Sequence, residues 1–158
     1  MEEVLARLVR ATGADRCTLR FDDPMRGWTV QLPCAEVLVG DAKSLRQENS
    51  VDQRAAATVK WLETHRHILI QPDLANTDVP APAALIQAYG VRAQMLGPLF
   101  RQDGFLQGWI SAHYLNPPGS LGPERVAAMR QAITAIQHLL GLPHGDLSTM
   151  PDTDGTIG

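Results

Sequence analysis

The stretch that decides the fold is YGVRAQMLGPLFRQDGFLQGWISAHYL, residues 89–115. Its two apolar runs meet at Asp103-Gly104, and an Asp-Gly pair between strand-like runs is the strongest short-range signal of a β-hairpin. A two-residue type I′ turn at this pair predicts that Gln102 faces Phe105. A four-residue loop would shift the partners and keep the same two faces, whereas a three-residue loop would break the grouping.

The side chains of this hairpin sort onto two different faces, because cross-strand partners share a face and successive residues alternate. One face is mixed in polarity and places Gln94 opposite His113, so we interpret it as the wall of a small-molecule pocket. The other face is almost wholly apolar, which predicts burial under helices. The mixed face comprises Arg92, Gln94, Leu96, Pro98, Phe100, Phe105, Gln107, Trp109, Ser111 and His113, and the apolar face Val91, Ala93, Met95, Gly97, Leu99, Leu106, Gly108, Ile110, Ala112 and Tyr114.

Length and composition predict one soluble domain. The chain has 158 residues, of which 44% are hydrophobic and 20% charged, so it can bury a core without disulfides. Its net charge is −3 and its basic residues are scattered, which argues against nucleic acid as a partner. The apolar runs are shorter than a membrane span, and residues 1–12 do not resemble a signal peptide. We therefore expect a cytoplasmic location and no membrane contact.

The sequence contains no standard catalytic or metal-binding motif. It lacks G-x-S-x-G, a phosphate loop and G-x-G-x-x-G, so we expect a binding domain rather than an enzyme. Cys17 and Cys34 are too few for a disulfide framework or a zinc site, and both are predicted to be buried. His65 and His67 have no third ligand adjacent in sequence, so no metal is expected.

Hydrophobic periodicity predicts helix, strand, strand, helix, strand and short helix before the hairpin, and one helix after it. The predicted helices cover residues 2–12, 50 or 52 to 65, 82–89 and 124–140, and the predicted strands cover 17–22, 28–32 and 67–71. Pro33 places the second strand at an edge or ends it in a bulge. Hairpin-connected strands favour an antiparallel sheet with helices on its faces, which is an α+β architecture.

The final helix carries two apolar stripes. Val126, Met129, Ile133, Ile136 and Leu140 recur at intervals of three and four, as in a coiled-coil seam, and Ala128, Ala132, Ala135 and Leu139 lie beside them. The helix could therefore pack on its own sheet and on a partner helix at once, or the two stripes could form one broad core-facing surface. We expect one domain over residues 1–141 and a flexible tail or linker over 142–158, which lacks periodicity.

With its elements in this order, the chain resembles a GAF domain, a small-molecule sensing module. The segments that carry the resemblance are LVRATGADRCTLRFDD, YGVRAQMLGPL and GFLQGWISAHYL. The last two are similar to the strand pair of bilin-binding GAF domains, where V-x-A-x-L-x-x-P-L is followed by L-W-G-L-I-x-x-H. The resemblance covers residues 2–141. It implies a GAF-like antiparallel sheet of about five to six strands with helices packed on its faces.

Departures from the known subfamilies narrow the choice of ligand. Bilin-binding relatives carry a Cys-His pair about ten residues before the position of Val91, where this chain has Ala81 and Pro82. A covalent bilin is therefore not expected. The methionine-sulfoxide reductases of this fold need several cysteines, and the N-K-F-D-E signature of cyclic-nucleotide GAF domains is absent from the sequence. The cofactor, if any, stays unknown.

The candidate ligand-binding residues come from the mixed face, from the first strand and from the loop that should cover the sheet. His113 would act as a hydrogen-bond partner near neutral pH, Trp109 as a stacking wall, and Arg20 or Arg92 as a clamp for a carboxylate. The full set is Arg20, Asp73, Tyr89, Arg92, Gln94, Trp109, Ser111 and His113.

Three functions fit these residues. The first is a sensory domain that reversibly binds a small polar or aromatic metabolite and signals through its terminal helices, paired in a homodimer. The second is a small enzyme with His113 as general base and an arginine that orients an anionic substrate. The third is a structural dimerisation module whose pocket is filled by its own side chains.

Overall fold

A five-stranded antiparallel sheet in the order β2-β1-β5-β4-β3 organises the chain. The computed structural model describes residues 1–143. The predicted flexible tail at 142–158 therefore lies almost wholly outside the described residues. The helices are α1 (Glu2–Thr12), α2 (Ala57–His65), α3 (Ala83–Gln87) and α4 (Pro123–Leu140), and the strands are β1 (Arg16–Phe21), β2 (Ala35–Leu38), β3 (Leu69–Gln71), β4 (Ala93–Phe100) and β5 (Leu106–Tyr114). The predicted α+β class and the antiparallel sheet of about five to six strands are confirmed.

Helices α1 and α4 cover one face of the sheet. The seam of α4 packs into the core there. Gly97 on β4 allows α4 to lie close to the sheet, because a Cβ at Gly97 would lie 2.7 Å from Ile133 Cδ1. The alanine stripe faces α1, where Ala128 and Ala132 line a groove together with Leu8. Both stripes of α4 are thus largely used within the chain, which leaves Leu139 exposed over 51% of its surface.

The β4–β5 hairpin forms with a loop one residue longer than predicted. Gly104 has a φ of +88° and donates to Arg101 O at 2.9 Å, while Arg101 N donates to Phe105 O at 2.8 Å. This is a three-residue loop followed by a bulge, so the predicted pairing of Gln102 with Phe105 is wrong. The bulge between Leu99 and Phe100 restores the predicted register.

Between the pair Leu99–Gly108 and the pair Ala93–Tyr114, the two predicted faces of the hairpin are confirmed. Gln94 lies opposite His113, and Leu96 lies opposite Ser111. Leu106 is the exception: it faces Phe100 and packs in the cluster on the cleft side of the sheet, because the bulge shifts it to the mixed face.

The second predicted strand, at residues 28–32, is wrong. Trp28 makes only an isolated bridge with Asp23, and the strand β2 begins after Pro33. The backbone between them is held by side chains instead of a ladder: Val30 N donates to Asp22 Oδ1 at 2.8 Å. Local alternation predicted a strand here, but tertiary hydrogen bonds hold the segment as a loop.

Strand β1 is buried on both faces, whereas the sequence predicted a half-buried strand. The helix from residue 50 or 52 also begins later than predicted, because a short 3-10 turn over Gln53–Ala55 precedes α2. The helix ends at His65, and the capping residue Arg66 has a φ of 64°. Among residues 1–143, no helix has the length and apolar character needed to cross a membrane.

Candidate functional site

A cleft lies on the sheet face opposite α1 and α4. Its cavity volume is about 40 Å³, which is room for a few water molecules, so a larger ligand enters only if the cover moves. The sheet forms its floor, and residues 45–59 and 82–89 form its cover. Its apolar lining includes Leu45, Val59, Leu85, Leu96 and Trp109, and its polar lining includes Arg20, Glu48, Gln53, Gln94, Ser111 and His113.

Six of the eight predicted ligand-binding residues line this cleft, namely Arg20, Tyr89, Gln94, Trp109, Ser111 and His113. Asp73 and Arg92 do not line it, so their predicted place in the pocket is corrected. Asp73 Oδ1 accepts from Ala75 N at 3.0 Å and thereby forms a turn in the loop after β3. Arg92 lies immediately before β4, and its side chain is exposed. Ligand binding by the six residues stays a prediction.

A buried row of polar side chains crosses four strands on the cleft face: Arg16 on β1, His113 on β5, Gln94 on β4 and Gln71 on β3. The two ends of the row are bonded to loops outside the sheet. Arg16 Nη1 donates to Lys43 O at 2.7 Å, and Gln71 Nε2 donates to Val79 O at 2.6 Å. The Arg16 guanidinium can only donate, and Val79 O can only accept from Gln71. These two groups therefore determine the directions of the Arg16–His113 and Gln94–Gln71 hydrogen bonds.

Arg16 sets the protonation of His113. Arg16 Nε donates to His113 Nδ1 at 3.0 Å, and since a guanidinium cannot accept, the ring proton resides on Nε2. Burial lowers the pKa of His113 well below its usual value, and the positive charges of Arg16 and Arg20 lower it further. The neutral ring therefore offers the cleft an N–H donor. Its only lone pair is occupied by Arg16, which does not favour a general-base role.

Gln71 sets the orientation of Gln94 in the same way. The amide nitrogen of Gln71 donates to Val79 O and to Thr77 Oγ1 at 3.0 Å, so its oxygen is the group that accepts from Gln94 Nε2 at 2.7 Å. Gln94 is left with its amide oxygen as an acceptor. Beside the Nε2–H of His113, the cleft thus holds one donor and one acceptor on neighbouring strands.

Two buried arginines lie on β1. Arg20 Nη1 donates to Val30 O at 3.0 Å and to Gln31 O at 2.9 Å, and burial lowers the pKa of Arg20 to about 10. Burial likewise lowers the pKa of Arg16. Both guanidinium groups stay cationic at neutral pH and hold loop segments against the sheet.

A single hydrogen bond joins the two parts of the cover. Tyr89 Oη donates to Glu48 Oε2 at 3.1 Å, and the Tyr89 ring lies 5.7 Å from the Arg16 guanidinium carbon. Sequence reasoning missed Arg16 and Glu48. A signal for Arg16 existed, because it has the same parity as Thr18 and Arg20 when the alternation of β1 is extended by one residue.

Both cysteines of the chain lie away from the cleft. Cys17 and Cys34 pack in or against the cluster under α1 and α4, and Cys34 Sγ donates to Leu19 O at 3.4 Å. Burial raises the pKa of Cys34 to about 11, which keeps its thiol protonated. No group of three potential metal-ligating side chains occurs within residues 1–143.

Comparison with known proteins agrees with this architecture. The chain is similar to the blue-light absorbing form of the Thermosynechococcus elongatus PixJ GAF domain, with 18% identity, a TM-score of 0.63 and coverage of 89% of this chain and 84% of that one. It is also similar to the chromophore-binding domain of the bacteriophytochrome RpBphP3 from R. palustris, with 18% identity and a TM-score of 0.67. The match covers 89% of this chain and 53% of that one, so this chain spans about half its length.

A third similar structure is the GAF domain of a phosphoenolpyruvate-protein phosphotransferase (ptsP) from Coxiella burnetii. It has 17% identity and a TM-score of 0.60 over 89% of this chain and 83% of that one. At these identities the likeness shows the fold. No curated protein matches the chain.

The sheet, the two-helix layer and the covered cleft define an α+β domain with a cleft on the sheet face opposite its terminal helices. The sequence model of the GAF domain matches residues 1–142, which is nearly the whole chain. The chain belongs to the GAF domain family.

Proposed function

We propose that this chain is a sensory GAF domain that acts in the cytoplasm and reversibly binds a small polar or aromatic metabolite in the cleft. The observation that carries the proposal is the oriented polar row. His113 offers a donor and Gln94 an acceptor on the wall of a covered cleft, which must widen to take a metabolite. Trp109 and Leu96 supply flat apolar surface on the same wall. Such a mixture of apolar walls with few polar groups is typical of small-molecule sites.

We propose non-covalent binding. The similar structures include a phycocyanobilin-bound GAF domain from a cyanobacterial phytochrome, so a bilin is a reasonable trial ligand. Ala81 and Pro82 stand where a Cys-His pair is found in bilin-binding relatives, and Cys17 and Cys34 pack on the helix side of the sheet. A cysteine-linked bilin is therefore not part of the proposal.

We also propose that a change of the cover is passed to the terminal helices. The cover is joined by the Tyr89–Glu48 hydrogen bond, and Tyr89 contacts Arg16 on β1, the strand that follows α1 directly. A ligand that moves Tyr89 would thus bias the packing of α1 on α4, which we propose to pair in a homodimer.

Melting temperature in a metabolite library tests the binding proposal. A ligand at a hundred times its dissociation constant stabilises a protein by about 2.7 kcal/mol, which is a rise of roughly 5–10 °C for a domain of this size. We expect His113→Ala to lose most of that rise and the exposed Arg92→Ala to keep it. Biliverdin belongs in the library, with visible absorbance as a second readout. A library without any hit, or equal shifts in both variants, would contradict the proposal.

A further inference from the structure

Two polar atoms on β1 are buried without a hydrogen-bond partner among the described residues: Arg16 Nη2 and Thr18 Oγ1. Both residues have 0% of their surface exposed. Buried polar groups are nearly always hydrogen-bonded, and an unmet one destabilises the fold, so each such atom calls for an explanation. A guanidinium nitrogen is the costlier of the two to leave unmet, because it carries part of a positive charge.

These atoms belong to a square of four side chains on the cleft face. In the register of β1 with β5, Arg16 lies opposite His113 and Thr18 lies opposite Ser111. His113 and Ser111 line the cleft directly. Each corner can donate a hydrogen bond: the free guanidinium nitrogen, the Nε2–H that Arg16 imposes on His113, and two hydroxyls. The square, which we call the β1–β5 donor square, is rich in donors.

The charge of Arg16 is not neutralised by a neighbouring carboxylate. Its side chain donates hydrogen bonds to the His113 ring and to Lys43 O. The Glu36 carboxylate exerts an attraction from farther away, but its oxygens accept from Ser44 Oγ at 2.5 Å and from Leu45 N at 2.7 Å. A buried cation without a paired anion is unfavourable, so an anion at the donor square would stabilise the protein.

We propose that the β1–β5 donor square is a subsite for the carboxylate group of a small organic acid, an inference that rests on the proposed function and names its ligand class. A carboxylate only accepts hydrogen bonds, and its two oxygens offer about four sites, one for each donor of the square. Ser111 and His113 meet the group from the cleft, and Arg16 and Thr18 meet it from β1. The body of the acid lies along Leu96 and Trp109, which continue the same wall.

Access to the square requires the cover to move. Tyr89 lines the cleft, its ring lies 5.7 Å from the Arg16 guanidinium carbon, and its hydroxyl donates to Glu48. We expect a rotation of this ring to open Arg16 Nη2 to the cleft. A bound carboxylate therefore displaces Tyr89 from Arg16, which links occupancy of the subsite to the position of the cover.

Matched pairs of probes test the subsite. The full chain is titrated with benzoate and benzamide, with phenylacetate and phenylacetamide, and with indole-3-acetate and indole-3-acetamide, by calorimetry and by melting temperature. Each pair has nearly the same shape and differs in charge. We expect at least one carboxylate to bind tenfold or more tightly than its amide, because hydrogen bonds to a charged group are the stronger ones.

Thr18→Val separates ligand binding from folding. Valine has nearly the same shape and removes a hydroxyl that is unpaired in the free protein, so we expect an unchanged or higher melting temperature without ligand. The affinity for the carboxylate should fall about tenfold, since one hydrogen bond to a charged group is lost. Arg16→Lys, which keeps the charge, should also weaken binding. The matched controls Thr64→Val and Arg92→Gln, both at exposed positions outside the cleft, should bind as the wild type does.

Each outcome decides the matter. Preference for the carboxylate that Thr18→Val abolishes supports the subsite. Equal binding of acids and amides overturns the subsite and leaves the proposed metabolite cleft standing. Binding that Thr18→Val leaves unchanged also overturns it, since the unpaired atoms would then hold a buried water. Binding of neither member of any pair overturns the subsite and counts against the cleft as well.

Discussion

His113 shows how neighbours decide the chemistry of a single residue. The sequence predicted a histidine that acts as a hydrogen-bond partner near neutral pH. In the structure, burial and the cations Arg16 and Arg20 keep it neutral, and the bond from Arg16 Nε leaves its proton on Nε2. The residue that the sequence singled out is thus a fixed hydrogen-bond donor.

The lowered pKa of His113 predicts how stability depends on pH. The folded pKa lies below the unfolded value of about 6.5, so the unfolded chain binds a proton first as the pH falls. The contribution of the neutral ring is complete above that pH and is lost as the pH decreases below it. We expect urea midpoints measured from about pH 8 to about pH 5 to decline more steeply in the wild type than in His113→Gln.

The other titrating groups are the control in this experiment. His65 and His138 occur in both proteins, so their effect cancels in the difference between the two curves. Parallel curves for wild type and variant would show that His113 titrates normally and that Arg16 and Arg20 do not act on its ring.

At the scale of elements, two glycines determine how closely α4 and β1 can pack against the β4–β5 hairpin. A Cβ at Gly97 would meet Met129 Sδ at 2.8 Å, on a flexible side chain of α4. A Cβ at Gly108 would collide with the backbone oxygen of Arg20 and lie 2.9 Å from Phe21 Cα. Both are backbone atoms of β1, which cannot rotate away as a side chain can. The first glycine accommodates a helix, and the second accommodates a neighbouring strand.

We therefore expect Gly97→Ala to cost about 1–3 kcal/mol and Gly108→Ala to cost more, as measured by urea denaturation. Ile133→Val provides an internal control, because it removes a methyl from the side chain nearest to the new Cβ of Gly97→Ala. The combined variant should be less destabilised than the sum of the two single changes. Additive costs, or a milder effect at Gly108, would contradict this reading of the two contacts.

The elements also mark where local patterns stop being informative. Residues 28–32 alternate as a strand does, but Asp22 and Arg20 bond their backbone and hold a loop. The turn of the hairpin is another case. An Asp-Gly pair predicts where the chain reverses, whereas the length of the loop depends on how Arg101 and Phe105 pair in the finished sheet.

At the scale of the whole molecule, the proposed dimer depends on what the terminal helices leave uncovered. Most of the apolar surface of α4 is buried against the sheet and α1, but Leu139 is 51% exposed. We expect the wild type to sediment as a dimer and Leu139→Glu to sediment as a monomer with nearly the same melting temperature, because a charge at that position prevents close helix pairing.

A leucine of similar exposure elsewhere provides the control. Leu32 is 40% exposed and lies in the loop before β2 rather than on a terminal helix. Leu32→Glu should remain dimeric. A monomeric wild type, or loss of the dimer in both variants, would contradict pairing through α1 and α4.

The sequence by itself determined the hairpin, the α+β class and the separation of a mixed face from an apolar one. These follow from a period of two along each strand and from local turn chemistry, which act over a few residues. It also placed five residues of the strands on the cleft, because residues of one parity share a face, and Tyr89 from its position beside the covering loop.

Only the tertiary structure decided which groups meet. Arg16 and His113 are 97 positions apart, and Tyr89 and Glu48 are 41 apart, so no local pattern relates them. The charge of the histidine, the unmet donors of β1 and the cover over them all depend on such distant contacts. The physical reason is that hydrogen bonding and burial act through space, whereas a periodic pattern reports only on the segment that contains it.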